Sequence, residues 1–333
     1  MKKGRAAILI TGMAALLLAG CERRVEPVSQ SGFLLNTFVT VTLYDKEDPE
    51  ILSGCLDLCR SYENILSKTI ESSEVYKLNH RPAGETAVTV SPDVAALISK
   101  SLYYSQVSDG AFDITVEPLS SLWNFTSENP TVPPEEKIEE ARKKVDYRNL
   151  KLDGNTVTFL SPDTSLDFGA IAKGYIADRM KDYLLEQGVK SAVINLGGNV
   201  LCVGQKPDGK PFKIGLQKPY ADRNETIETL NIKDMSVVSS GVYERHFEKD
   251  GVNYHHILNP RDGYPYENGL VSVTILSTQS ADGDALSTTC FSLGLKKGME
   301  LLDSTDGVYG VFITEDGEVY YSQGAREFLA AEP

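Results

Sequence analysis

The sequence is short of the residues that nucleic acid and zinc require. Its 333 residues hold 33 Lys and Arg against 47 Asp and Glu, a formal net charge of −14 at pH 7. Non-specific nucleic-acid binding needs a basic surface, so this balance argues against it. It argues equally against a polybasic membrane patch. There are only four histidines (His80, His246, His255, His256) and five cysteines. No two cysteines form a CxxC pair and no histidine stands at zinc-ligand spacing, which excludes a structural zinc site. Internal repeats, a Walker A loop and a GxGxxG fingerprint are all missing. Beyond the N-terminus no apolar run is long enough to span a bilayer.

What is present suffices for a packed core: 41% of residues are hydrophobic and 24% charged. The length allows one large domain or two smaller ones. The N-terminus departs from the rest. Met1 to Arg5 is basic, Ala6 to Gly20 is apolar or small, and the run ends Leu17-Leu18-Ala19-Gly20-Cys21. A basic start, a short apolar stretch and small residues before a Cys resemble a bacterial lipobox, with an ordinary cleaved signal peptide as the alternative. The expectation is a signal segment at 1–20, lipid on Cys21, a tether at 21–30 and a domain at 31–333. That places the protein on the outer face of a bacterial cell membrane, held by a dual-acyl anchor. Without its first 20 residues the chain keeps 30 basic and 47 acidic residues, a net charge of −17. Cys55, Cys59, Cys202 and Cys290 read as small buried apolar side chains. A Cys55–Cys59 disulfide would be strained within a helix.

Residues 38–44 alternate as a strand does. Pro49 opens a helix to about Leu66, a short helix follows over 72–79, a strand over 87–90, and Ser91-Pro92-Asp93 starts a helix to Tyr104. Gly110 to Pro118 reads as a turn and short strand, and Ser127 to Glu136 as a surface segment before a charged helix over 134–144. A hairpin turns at Asp153-Gly154-Asn155. A strand ends near Leu166, a helix spans about 170–187, and a strand spans 192–196. Short strands fill 200–275. Helices at 284–293 and 297–303 and a last hairpin at 315–317 complete the chain. Strands and helices are interleaved without regular βα alternation, which points to an α+β fold with mixed or antiparallel sheets, packed helices and two closely associated lobes.

Three stretches invite chemistry. Asp167-Phe168-Gly169-Ala170-Ile171-Ala172-Lys173 leads into a helix whose N-terminus would favour an anion, with Lys173 one turn in; a plain capped helix reads equally. Leu196-Gly197-Gly198-Asn199 allows close backbone approach or a tight bend. Asp284 and Thr288 stand at i, i+4, a carboxylate and a hydroxyl on one helix face. Such hard oxygen ligands suit Mg²⁺, although a first-turn acid also complements the helix dipole. His255 and His256 are adjacent on a strand, so at most one of them faces a given site.

Taken in order, six runs resemble the ApbE family of FAD:protein FMN transferases. They are Gly110-Ala111-Phe112-Asp113-Ile114-Thr115, Asp167 to Tyr175, Asn195-Leu196-Gly197-Gly198-Asn199, Ser239 to Arg245, His255 to Pro265, and Asp284 to Thr288. The resemblance covers about Leu35 to Phe328 and implies an ApbE, T-fold-like architecture. It implies transfer of FMN from FAD to a Thr or Ser hydroxyl of a partner protein through a phosphoester bond, with AMP leaving. By the same resemblance, Mg²⁺ is held by the Ala170 carbonyl and the side chains of Asp284 and Thr288. FAD contacts fall on Leu35, Ala111, Phe112, Asp113, Asp167, Lys173 and the backbone around Leu258. Trp123, Asn124 and Phe125 match a stretch near the flavin. Leu35-Asn36-Thr37 stands where the family has Met-Gly-Thr, and Thr69 where some relatives carry an aromatic residue. Asp284 is the preferred base for the acceptor hydroxyl, with His256 the alternative. The implied acceptor is a membrane redox subunit bearing an Asp-Gly-x-Ser/Thr-x-x-Thr type segment, which this chain lacks. Two rivals stay open: an Mg²⁺-dependent FAD pyrophosphatase, and a flavin-binding lipoprotein with no catalytic metal.

Overall fold

The computed structural model describes residues 26–222 and 225–330. The signal segment, Cys21 and most of the tether lie outside the described residues. Strand β1 (Val28–Leu34) begins inside the stretch read as a tether and pairs with β2 (Thr37–Leu43). Ser29 and Ser31 lie on its outward face, while Gln30 and Gly32 stand on the helix-facing side, so no apolar alternation marks the strand. The hairpin turns on Leu35 and Asn36, both at positive φ (54° and 56°). That is the two-residue turn whose twist suits a hairpin, and Asn tolerates it well. Asn36 therefore keeps the backbone shape that a Gly would supply.

Helix α1 (Pro49–Leu66) starts where expected: Asp48 caps it and Pro49 opens it. Then come α2 (Glu74–Asn79), β3 (Ala87–Thr89), α3 (Pro92–Val107), α4 (Glu117–Trp123), α5 (Glu135–Arg142), β4 (Leu150–Asp153) and β5 (Thr156–Phe159). The short strand expected over 110–118 is instead a turn followed by α4. That helix has no side-chain cap and ends at Asn124 in the left-handed region. Seven residues are too few to show a helical period. No strand precedes Asp167; residues 164–168 are extended without a ladder.

The chain continues with α6 (Ala172–Glu186), β6 (Ser191–Leu196), β7 (Asn199–Gly204), β8 (Phe212–Gln217), β9 (Thr226–Ile232), β10 (Ser236–Gly241), β11 (His246–Lys249), β12 (Val252–His255), β13 (Leu270–Ser277), α7 (Ser280–Asp303), β14 (Tyr309–Thr314) and β15 (Val319–Tyr321). Helix α7 breaks at Gly294 (φ 78°, ψ 170°), between the two helices expected there.

Eight strands form one antiparallel sheet in the order β1-β2-β6-β7-β10-β13-β14-β15. Helices α1, α6 and α7 pack on one face and bury the main core, which includes Val39, Val41, Ile194, Val273, Ile275, Met180 and Phe291. The β8–β9 hairpin covers part of the other face around Phe212, Leu230 and Leu276. A third cluster joins α4 and α5 through Trp123, Ile138 and Leu258, so α5 is anchored, while residues 127–136 before it lie mostly at the surface. The fold class is α+β, as expected. All four described cysteines are buried and unbridged, including Cys55 and Cys59. No described helix is long and apolar enough to cross a membrane.

Candidate active site

The site is built where the N-termini of α6 and α7 meet. Gly174 makes the meeting possible: a Cβ there would overlap the Ser280 carbonyl and stand 2.7 Å from the Ala281 Cα. Neither helix has a side-chain cap of its own. Each is capped by a carboxylate from the other. Asp178 of α6 accepts the N–H groups of Ser280 (2.7 Å) and Ala281 (2.9 Å). Asp284 of α7 accepts the Gly174 N–H at 2.9 Å. Two helix N-termini thus share one corner, where their dipoles add a positive potential suited to a polyphosphate.

Asp284 is buried (5% exposed). Burial pushes its carboxyl above the ordinary range, and the Lys173 ammonium, the Gly174 N–H and the Asn199 amide offset only part of that. Asn199 is held by Ser280, whose hydroxyl donates to its Oδ1 at 2.8 Å. Gly197 and Gly198, both at positive φ, form the tight bend between β6 and β7 that presents Asn199. One turn along α7, Thr288 meets Ser240 of β10 at 3.2 Å, and Ser240 meets Ser287 at 2.8 Å. Because the Gly174 N–H turns to Asp284, no described backbone N–H bonds the Ala170 carbonyl. A buried carboxylate, a hydroxyl and a released carbonyl are therefore close in the fold. Among the described residues no group of three or more His, Cys, Asp or Glu gathers for a metal, here or elsewhere, so any ion at this corner would rest on one carboxylate and neutral oxygens. A donor set of oxygens with one charge fits Mg²⁺, which fills its octahedron with water and substrate phosphate.

His255 is the last residue of β12 and His256 lies just beyond the strand, contrary to the expectation that both stand on it; their rings have different partners. The His255 ring turns into the core against Phe291, with its Nε2 within 2.9 Å of the Tyr266 carbonyl. His256 faces the other way. Its backbone N–H (3.1 Å) and its ring Nδ1 (3.3 Å) both meet the Arg245 carbonyl. This bond places the proton on Nδ1 and leaves Nε2 as an acceptor. Burial, then the charge of Arg245, push the ring down to about 3, so it is neutral at physiological pH.

The remaining expected contacts divide into those at the surface of the cleft and those behind it. Asp113 accepts from Thr115 N–H (2.7 Å), Thr115 Oγ1 (2.7 Å) and Tyr147 N–H (2.8 Å), and burial pushes it up to about 6. Its oxygens are used in shaping the 111–116 turn. The Ala111 carbonyl accepts from the Tyr266 hydroxyl, and the Ile114 carbonyl from the Asp167 N–H, which ties this turn to the loop before α6. Phe112 is 3% exposed, packs near Tyr104 and donates its backbone N–H to the Ser108 hydroxyl at 3.0 Å, so it lies behind the surface. Trp123 corrects the expectation of a free flat face. It is 1% exposed, stacked on Phe125 at 5.5 Å and flanked by Phe247, Tyr254 and Tyr264, with its N–H donated to Gly263. The half-buried Phe125 keeps an accessible surface, and Asn124 caps the helix beneath it. Leu258 is buried and reaches Pro265 through a backbone bridge. Leu35 is held in its left-handed conformation by Glu63, which accepts its N–H at 2.7 Å.

Sequence reasoning missed several residues. Lys68 donates to Ser120 (2.6 Å) and Ser121 (3.1 Å) and pairs with Asp167 at 2.9 Å. Burial alone would raise the Asp167 carboxyl, but Lys68, Ser120 and the Gly169 N–H outweigh it and hold it below the usual range. Asp178 was also missed, and Ser240 and Arg245 lay inside a family-like run without a role assigned to either. Each acts across a tertiary contact, for which local spacing carries no signal.

These observations agree with comparison to known proteins. The ApbE family model matches residues 35–313. A protein of Klebsiella pneumoniae called FAD:protein FMN transferase is 40% identical over 300 residues, covering 90% of this chain and 92% of that one. A protein of Treponema pallidum with the same name is 32% identical over 339 residues, covering 96% and 93%. The crystal structure of the ApbE protein of Thermotoga maritima superposes with a TM-score of 0.83 at 33% identity, covering 92% of this chain and 100% of that one. The flavin transferase ApbE from Vibrio cholerae gives 0.82 at 28% identity, covering 91% and 99%. The chain belongs to the ApbE family.

Proposed function

We infer that the protein transfers FMN from FAD to a Ser or Thr hydroxyl of another protein, with Mg²⁺ at the α6–α7 corner. The observation that carries this reading is the paired capping of α6 and α7, which gathers a buried carboxylate, a free carbonyl, a hydroxyl, a lysine and two helix N-termini. That set suits a pyrophosphate and little else. Bound Mg²⁺ would neutralise charge on the pyrophosphate oxygens; Asp284, Thr288 and the Ala170 carbonyl would hold it.

The chain's own residues supply the rest. Lys173 and the helix N-termini offset phosphate charge, as catalysis of phosphoryl transfer demands. The cleft formed by Leu35, the 111–113 backbone and Phe125 would receive the flavin end of FAD. The acceptor hydroxyl must lose its proton as its oxygen forms a bond to the FMN phosphorus. The bond from that phosphorus to the AMP oxygen breaks, and AMP departs. The Nε2 of His256 is free to accept that proton, but burial makes its imidazole a weak base. Asp284, whose carboxyl burial raises, is the stronger base and is engaged by Gly174 and the metal position. Geometry supports His256 and basicity supports Asp284. The lipobox supports a place at the bacterial cell membrane, on its extracytoplasmic side, through lipid on Cys21, with a membrane redox subunit as acceptor.

AMP release tests the reading. In the presence of FAD and Mg²⁺, chromatography should show AMP appearing faster when a carrier protein bearing an Asp-Gly-x-Ser/Thr-x-x-Thr segment is added. EDTA should stop it. AMP and free FMN forming at one rate with or without the carrier would make water the acceptor and the protein a pyrophosphatase.

A further inference from the structure

The outward face of the β1–β2 hairpin is polar along most of its length. Ser29 bonds Thr42 and Ser31 bonds Thr40, both at 2.8 Å. At the tip this pattern stops. Phe33 and Phe38 pair across the strands, edge to face at 5.7 Å, and are 66% and 67% exposed. Beside them lies an open groove of about 590 Å³, walled by Phe33, Asn36, Phe125, Thr126, Glu244, Arg245 and His246. Tyr220, 62% exposed, stands edge-on to His246 on the same rim. The groove adjoins the reaction centre through one residue, because the Arg245 carbonyl is the hydrogen-bond partner of His256. Arg245 brings a positive charge to this groove on a chain whose net charge is −14, next to the one carboxylate of Glu244.

We propose that this groove is the docking site for the acceptor protein. The proposal rests on flavin transfer as the activity. Its occupant is a protein segment with an apolar side chain against Phe33 and Phe38, a carboxylate for the Arg245 guanidinium, and its hydroxyl offered to His256. Exposed aromatic rings beside an Arg are the anchors that dominate protein–protein affinity. An acidic segment is repelled by most of this acidic surface, so the Arg245 guanidinium selects where it lands. A lipid surface fits less well, since the groove is concave and the net charge repels anionic headgroups.

The test uses the full-length chain in mild detergent, FAD, Mg²⁺ and a carrier protein displaying Asp-Gly-Ala-Ser-Ala-Ala-Thr on a loop. The Phe33→Ser/Phe38→Ser double variant should raise KM for the carrier about tenfold or more. Its kcat at saturating carrier and its Kd for FAD, read by flavin fluorescence, should match wild type. Arg245→Gln should raise the carrier KM and weaken its dependence on salt. An unchanged carrier KM in the double variant overturns the proposal. So does an FAD Kd that rises by the same factor, which would make the groove part of the flavin pocket. So does lost binding to anionic vesicles with an unchanged KM, which would make it a membrane contact. If wild type binds FAD and leaves the carrier unlabelled, flavin transfer itself fails and the docking assignment falls with it; that result needs no variant.

Discussion

On the proposed function, Asp284 is structural and chemical together. Its carboxylate caps α6, and burial disfavours its charge. Asp284→Asn keeps an acceptor for the Gly174 N–H and removes the buried charge. The expected outcome is a Tm close to wild type with transfer reduced at least a hundredfold, checked by thermal melting and by AMP release. His256 carries a different prediction. An ordinary His titrates near 6.5, but in the fold His255 is pushed down to about 4 and His256 to about 3, mainly by burial. Between those values these two imidazoles bind more protons in the unfolded chain than in the folded one. The stability tied to their neutral form is thus fully present above about pH 6.5 and is lost as pH falls towards 4 and then 3. Asp113, pushed up to about 6, acts in the opposite sense over part of that window, so the His256 contribution is read as a difference: Tm of wild type should fall more steeply with acidification than Tm of His256→Gln. The same depression means that His256 imposes no loss of transfer near pH 6.5; an acid limb there that vanishes in His256→Gln would contradict this. Lys68 belongs at this scale too. Lys68→Met removes the ammonium that keeps Asp167 ionised, and FAD affinity should fall while Lys68→Arg largely restores it, read by flavin fluorescence.

At the scale of elements, the site is the crossing of α6 and α7. Gly174→Ala drives a Cβ into the Ser280 backbone, which cannot yield without moving a helix. Overpacking of this kind costs about 3 kcal/mol. Stability and transfer should fall together, as melting and AMP release on one preparation would show. Asp178→Ala removes a cap that serves two N–H groups and should cost about 1–2 kcal/mol, lowering Tm by roughly 2–6 °C. Most elements were legible in the sequence for local reasons. Asp48-Pro49 and Ser91-Pro92 mark helix starts, Asp153-Gly154-Asn155 marks a hairpin, and Gly294 separates the halves of α7. Strand β1 and helix α4 were not legible. The first lacks apolar alternation and the second is seven residues long with no cap. The i, i+4 pair of Asp284 and Thr288 was readable as a helix face, but the reciprocal capping by Asp178 was not, because it joins segments 102 and 103 residues apart.

At the scale of the molecule, one antiparallel sheet carries the parts of the site from distant points in the chain. β2 presents the Leu35–Asn36 turn, β10 presents Ser240, and β13 delivers the chain into α7. The sequence motifs named the members of this assembly without their arrangement. Trp123 is the instructive case: its match to the family stretch suggested a ring against the flavin, yet the third apolar cluster encloses it and leaves Phe125 at the surface. Burial of that kind depends on α5 and on the 254–264 segment, which no local pattern reveals. The arrangement as a whole serves one central claim, that FMN ends on a protein hydroxyl. The most direct measurement is the intact mass of a carrier bearing the Asp-Gly-x-Ser/Thr-x-x-Thr segment after incubation with the protein, FAD and Mg²⁺. The account predicts a gain equal to FMN minus water, absent without Mg²⁺ and absent with Asp284→Ala. A carrier of unchanged mass while FMN and AMP accumulate would contradict it.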